Sequence, residues 1–245
     1  MTAGSGLVVQ RRLAADQLEE FYHENFVSDQ VRDFNALVGA VGEGRVVVDV
    51  GGGCGHLAQK LGEVSGIRTR VIDMDPASVE ACTRAGVDAR LGDALKPEIA
   101  GDEAVACFNL ILHHLVGRTE RETRALQIQA LRNWRGRVDA VFVNEYIYES
   151  FVPELSGRLI FEITASSVLS FVARQVAKVV PPLRANTFGV GVRFRSRDEW
   201  VRLFDEAGYR VVAETTGEPE YISPPLRALM IKIIRRDSFR LEQKL

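Results

Sequence analysis

The chain has 245 residues, 46% of them apolar, enough to bury one sizeable core with small decorations. Lys and Arg number 31 against 33 Asp and Glu, a net charge of −2, so no positive field exists to hold a polyanion and nucleic acid is not an expected partner. Cys54, Cys82 and Cys107 share no CxxC spacing, which argues against a disulfide framework or a zinc cluster and fits a reducing compartment.

The opening stretch reaches charged residues too soon for a signal-peptide core or a membrane span, so no membrane partner and a cytoplasmic location are expected. Between residues 11 and 41 the apolar positions Leu13, Leu18, Phe21, Phe26, Val31, Phe34, Leu37 and Val38 follow a helical period, so residues 1–41 read as a helical cap before a main domain over 42–245. RVVVDV (45–50) is apolar on both faces, as a buried central strand of a parallel sheet would be, and glycines follow at once. HLAQKLGEV then reads as a helix, RTRVIDMD as a second strand, and PASVEACTRAG as a helix opened by Pro76 and closed by Gly86. VDARLGDA supplies a third strand, AVACFNLILHHL a fourth, RETRALQIQALRNW a helix and RVDAVFVNEYIY a fifth strand. Alternation of this kind implies parallel pairing through right-handed crossovers.

From about 152 to 195 the rhythm breaks into a long apolar helix, Pro181-Pro182 and the glycine-flecked NTFGVGVRF, which reads as an inserted helical lid. SRDEWVRLFDEAG resumes as a capped helix, and YRVVAE and ALMIKIIRR as two final strands. Only 13 residues, Thr215 to Arg227, separate those strands, too few for a crossover helix, so they should pair antiparallel. The expected fold is α/β: a doubly wound, mostly parallel seven-stranded sheet ending in an antiparallel hairpin.

In VVVDVGGGCG the spacing Asp49-x-Gly51-x-Gly53-x-Gly55 falls between a strand and a helix, where glycine lets the backbone turn sharply and approach a ligand, and where Asp49 can order the loop or meet a cationic amine. With these residues the chain resembles class I S-adenosylmethionine-dependent methyltransferases over roughly Arg45 to Arg236. The resemblance implies S-adenosylmethionine as cofactor, with Asp73 accepting the ribose hydroxyls and Asp93 and the Ala94 amide meeting the adenine. Asp75 competes with Asp73, although its position suits the start of a helix, and Asp93 can also be read as a plain turn residue. Asn109, at the end of the fourth strand, joins the cofactor set. A nicotinamide dehydrogenase is the nearest rival, but GxGxxG counted from Gly51 meets His56 where its last glycine should stand. A non-catalytic regulator that binds the cofactor is the other alternative.

The methyl acceptor should lie beyond the strand ends. No Asn/Asp-Pro-Pro-aromatic segment is present, which again disfavours nucleic acid. The combination of VDVGGG with ILHHL is similar to small-molecule O-methyltransferases of natural-product pathways, whose Leu-His-Asp/Asn-Trp segment supplies a general base. His113 matches that histidine by position, while His114-Leu115 departs from the pattern. His113, His114 and Glu145 are therefore the catalytic candidates, with a packed structural histidine as the competing reading. As neighbours on a strand end, the two histidines should face opposite ways. Glu145 could orient a histidine or bind an acceptor amine, and Tyr146 and Tyr148 could flank a ring or a cation. Arg193, Arg195 and Arg197 alternate and read as one solvated face, with an anionic substrate as the other option. Tyr22 and His23 read as a helix-surface pair that could also close over the cofactor. No carboxylate cluster suggests a metal. The expected partner is a small-molecule methyl acceptor, which could be an O-, N- or S-nucleophile, and a homodimer is the one protein assembly the reading admits.

Overall fold

The computed structural model describes residues 24–180 and 188–244. Seven strands, β1 (Val46–Val50), β2 (Thr69–Asp73), β3 (Asp88–Leu91), β4 (Glu103–Asn109), β5 (Ala140–Ser150), β6 (Tyr209–Thr215) and β7 (Ile231–Gln243), form one sheet in the order β3-β2-β1-β4-β5-β7-β6. The first five pair in parallel, and β7 runs antiparallel to both β5 and β6. This is the sheet the alternation and the short final connection predict. The winding reverses between β1 and β4, which opens a crevice at the carboxyl ends of these strands.

Alternation along the strands divides the core. Val46, Val48 and Val50 of β1 face one side, where Leu131 of α4 (Glu120–Arg132) and Trp200, Leu203 and Phe204 of α7 (Arg197–Ala207) complete the main cluster. Val47 faces the other side, against Val31 and Phe34 of α1 (Glu24–Leu37) and Leu57 and Leu61 of α2 (His56–Ser65). On that same side α3 (Pro76–Arg84) buries Cys82 against Val71 and Ala58. Asp49 shares the face of Val47, so its carboxylate is carried into the layer beneath the glycine loop.

Three elements differ from expectation. The fourth strand stops at Asn109 because Leu110 adopts a left-handed φ of 56°, and the apolar residues after it form a tight turn over Leu112–His114. The lid holds two helices, α5 (Leu155–Ala165) and α6 (Ser167–Val179), bent by 99° at Ser166, whose hydroxyl caps α6 by accepting from the Leu169 amide. α6 buries its small residues Ser170 and Ala177 and leaves Phe171 and Val179 63% and 82% exposed. The connection from β6 to β7 contains a single helical turn, α8 (Pro224–Arg227). Among the described residues no single helix is long and apolar enough to cross a membrane. Tyr22, His23, Pro181 and Pro182 lie outside the described residues.

Candidate active site

The glycine loop owes its shape to both backbone and packing. Gly51, Gly53 and Gly55 all take positive φ (69°, 55° and 79°). A Cβ on Gly51 would lie 2.6 Å from Ile111, and one on Gly55 2.8 Å from the Cys82 sulfur, so the protein itself requires both glycines. A Cβ on Gly53 would meet nothing within 4 Å. That position alone turns its bare backbone toward open space, as the edge of a ligand cradle should.

Asp73 staples this loop to the end of β2, its two carboxylate oxygens accepting from the Gly53 amide (2.9 Å) and the Asp75 amide (2.8 Å). Burial pushes its pKa upward even though these amides favour the charged form. Asp75 instead caps α3, accepting from both the amide and the hydroxyl of Ser78, which settles it as a helix start. The Asp73 carbonyl accepts from Gly92, drawing the end of β3 close, where Asp93 accepts from the Leu95 amide and Ala94 is buried beside it. Asp93 thus already closes an ordinary turn.

Asp49 is buried beneath the loop, its carboxylate directly under Gly52, and its Oδ1 has no hydrogen-bond partner among the described residues. Burial first, and the charge of Asp73 second, push its pKa to about 7. An unpaired buried carboxylate invites a donor or cation from outside the chain. Asn109 donates to Gln30 of α1 at 3.2 Å, and its Oδ1 is likewise buried and unsatisfied.

Ile111, lying against Gly51, links the loop to the histidine turn. There Glu145, fully buried on β5, meets four hydrogen donors: the amides of Leu112 (2.7 Å), His113 (3.3 Å) and Tyr146 (3.3 Å), and His113 Nδ1 at 2.6 Å. Three of these partners are backbone N–H groups, so Glu145 acts as acceptor throughout. In the neutral form of His113, the tautomer that complements this acceptor carries its hydrogen on Nδ1 and leaves the lone pair on Nε2.

His114 does not point away from its neighbour as a strand would dictate. The turn brings the two rings to 4.2 Å, and burial, with His113 adjacent, holds the His114 pKa well below the usual imidazole range. Around His113 stand Phe194 (ring centres 5.0 Å apart) and Tyr146 (6.0 Å), and Tyr148 stacks on Phe194 at 4.2 Å. Burial raises the pKa of both tyrosines, keeping them as neutral phenols.

The solvated-face reading of the arginines fails for two of the three. Arg193 and Arg195 are fully buried: Glu120 accepts from both at 2.8 Å, and Arg193 also donates to Glu199 at 2.6 Å. Only Arg197 reaches the surface, where it pairs with Glu214. Phe194 was missed, although the alternation contained it: with Arg193 and Arg195 turned toward α4, the residue between them faces the other way, onto His113. Gln127 was missed as well, because a glutamine on an amphipathic helix gives no local signal.

Strand order, glycine loop and acidic strand end together define the fold of class I S-adenosylmethionine-dependent methyltransferases. The family model for the methionine biosynthesis protein MetW matches residues 31–116, about a third of the chain. No curated protein matches the sequence. Among solved structures, the mitomycin 7-O-methyltransferase MmcR is 16% identical with a TM-score of 0.54, the match covering 94% of this chain and 55% of that one. A LepI variant solved with S-adenosylhomocysteine and a substrate analogue is 15% identical (TM-score 0.57; 93% and 50% covered). Geranyl diphosphate C-methyltransferase from Streptomyces coelicolor A3(2), solved with Mg2+, geranyl diphosphate and S-adenosylhomocysteine, is 11% identical (TM-score 0.55; 95% and 89% covered). The chain spans about half the length of the first two.

Proposed function

We propose that the protein is an S-adenosylmethionine-dependent methyltransferase that methylates a hydroxyl of a small molecule, with His113 as general base and Glu145 as the residue that orients it. The residues of the crevice suit the cofactor. Asp49 offers an unpaired carboxylate to an ammonium, Gly53 leaves room for close backbone approach, Asp73 is placed to accept from a diol, and the amino end of α2 has no side-chain cap to compete with a carboxylate. When bound, S-adenosylmethionine supplies an electrophilic methyl group.

The remaining chemistry falls to the chain. The observation that carries the oxygen-acceptor reading is the Glu145–His113 contact, because it fixes the tautomer whose Nε2 can take a proton. A hydroxyl is a poor nucleophile until that proton leaves. His113 Nε2 would take the proton that the acceptor hydroxyl loses on methylation, the carbon–sulfur bond of the bound cofactor breaking to leave S-adenosylhomocysteine, and buried Glu145 would stabilise the resulting imidazolium. Phe194, Tyr146 and Tyr148 restrict the acceptor's approach and exclude water, which favours alignment. Nucleophiles that are already deprotonated would not need the pair.

The test combines calorimetry with S-adenosylmethionine, S-adenosylhomocysteine and NAD, and turnover over a panel of phenols and alcohols. Binding of the first two without NAD, and a 10²–10⁴-fold fall in kcat for His113→Gln with little change for His114→Gln, is the expected result. NAD binding alone would restore the dehydrogenase reading. Cofactor binding with no turnover on any acceptor would point to a regulator.

A further inference from the structure

The base is held from a second side by residues that touch no reacting atom. Leu112 C=O and His113 N–H belong to one peptide unit. Its N–H donates to Glu145, and its C=O accepts from Gln127 Nε2 at 2.9 Å. The next carbonyl, of His113, accepts from the Arg193 amide at 2.9 Å. Gln127 is fully buried on α4, and its amide has one permitted orientation: Oε1 accepts from Arg195 Nε at 2.9 Å, and a guanidinium can only donate, so Nε2 must face Leu112. Arg195 is fixed in turn by Glu120 and lies 5.8 Å from the Trp200 ring centre.

The segment bearing Arg193 and Arg195 leaves the lid directly. Within it Val192 donates to the Thr164 hydroxyl of α5, and Gly189 to the Ser170 hydroxyl of α6. A connected set of hydrogen bonds, buried from Thr164 inward, therefore runs from both lid helices to the peptide that carries the base.

We infer that Gln127 and Arg195 are positioning residues for His113: through the Leu112 carbonyl they set the ring's angle to the acceptor, and they tie that angle to the seating of the lid. The inference rests on His113 being the base. Its structural part, that Gln127 fixes the His113 ring, holds or fails independently.

Three variants test it. Gln127→Met keeps the volume and loses both hydrogen bonds. Gln127→Glu still accepts from Arg195 but leaves the Leu112 carbonyl without its donor. Leu131→Ala, in the core of the same helix, controls for general loss of stability. The expected result is an about tenfold fall in kcat for both Gln127 variants, with the cofactor KM within about twofold of wild type and Leu131→Ala retaining wild-type kcat. In the protein without substrate, the Nδ1 proton of His113, followed by NMR, should shift or broaden in both Gln127 variants and stay put in the control.

Wild-type kcat and an unmoved Nδ1 proton in Gln127→Met would overturn the inference. Wild-type behaviour of Gln127→Glu alone would also overturn it, since Gln127 would then serve only to satisfy Arg195. If His113→Gln itself keeps full turnover, the base assignment fails, and the proton signal alone judges the positioning.

Discussion

Asp49 offers a test of the cofactor crevice that needs no substrate. Its carboxyl has an ordinary pKa of 3.8 and rises to about 7 in the fold, chiefly through burial. A group that holds its proton more tightly when folded contributes most to stability below the unfolded pKa. That contribution is lost as pH rises from about 4 to about 7, and the curve flattens above. At ~1.4 kcal/mol per decade the span amounts to ~4 kcal/mol, an upper bound on what the ionised carboxylate costs the empty protein. A domain of this size shifts its Tm by about 2–4 °C per kcal/mol. Asp49→Asn, neutral at every pH, should therefore melt above wild type at pH 8, by up to on the order of 10 °C, and converge with it near pH 4. The same variant should bind S-adenosylmethionine at least tenfold more weakly, because a charge-assisted bond worth ~1.5–3 kcal/mol is gone. Scanning fluorimetry from pH 4 to 8.5, paired with calorimetry, measures both. Melting curves for the two proteins separated by the same amount at all pH values would refute the account of Asp49, and stabilisation without loss of affinity would remove it from the cofactor site.

Three further outcomes follow from the geometry. Asp73→Ala releases the Gly53 amide and removes the carboxylate proposed to accept from the cofactor diol, so cofactor affinity should fall by at least tenfold in titration calorimetry, by ~1.5–3 kcal/mol; unchanged affinity would rule out the diol role. Arg193→Met leaves the buried Glu199 without its main partner and should lower stability by ~3–5 kcal/mol in urea denaturation; a loss under 1 kcal/mol would mean that water or Arg195 compensates. Hydrogen exchange in α5 and α6 should slow when cofactor and acceptor are both present, since active-site covers come from low-stability segments; protection equal to that of β4 in the empty protein would exclude a lid role.

Much of this arrangement was readable from sequence because the deciding signals were local. RVVVDV is apolar on both faces and reads as a covered strand, glycines follow it directly at the turn into a helix, and the connection between the last two strands is too short for a crossover helix and forces an antiparallel return. What escaped notice depends on distant partners. NLILHHL continues the apolar pattern of the fourth strand, and nothing in it announces the positive φ at Leu110 that folds both histidines into a turn. Arg193 and Arg195 resemble a surface pair until Glu120, more than 70 residues earlier in the chain, is brought against them. The lid reads as one helix because Ser166 is tolerable inside a helix, and only its hydroxyl at the Leu169 amide marks a new start.

The position of β7 bears on how the chain is made. Every earlier strand except β6 can find a neighbour among segments already synthesised, whereas β6 pairs only with β7, and the outer edge of β5 waits for the same strand. A nascent chain that has reached residue 230 therefore presents an open β5 edge along Val141–Ser150 and a β6 with no place to dock, a state prone to mispairing. Emergence of Ile231–Gln243 from the ribosome resolves both at once. The strand inserted last occupies an interior position, so the fold closes in a late step that joins its two halves, and deletions within this strand should compromise the whole domain rather than fray one margin.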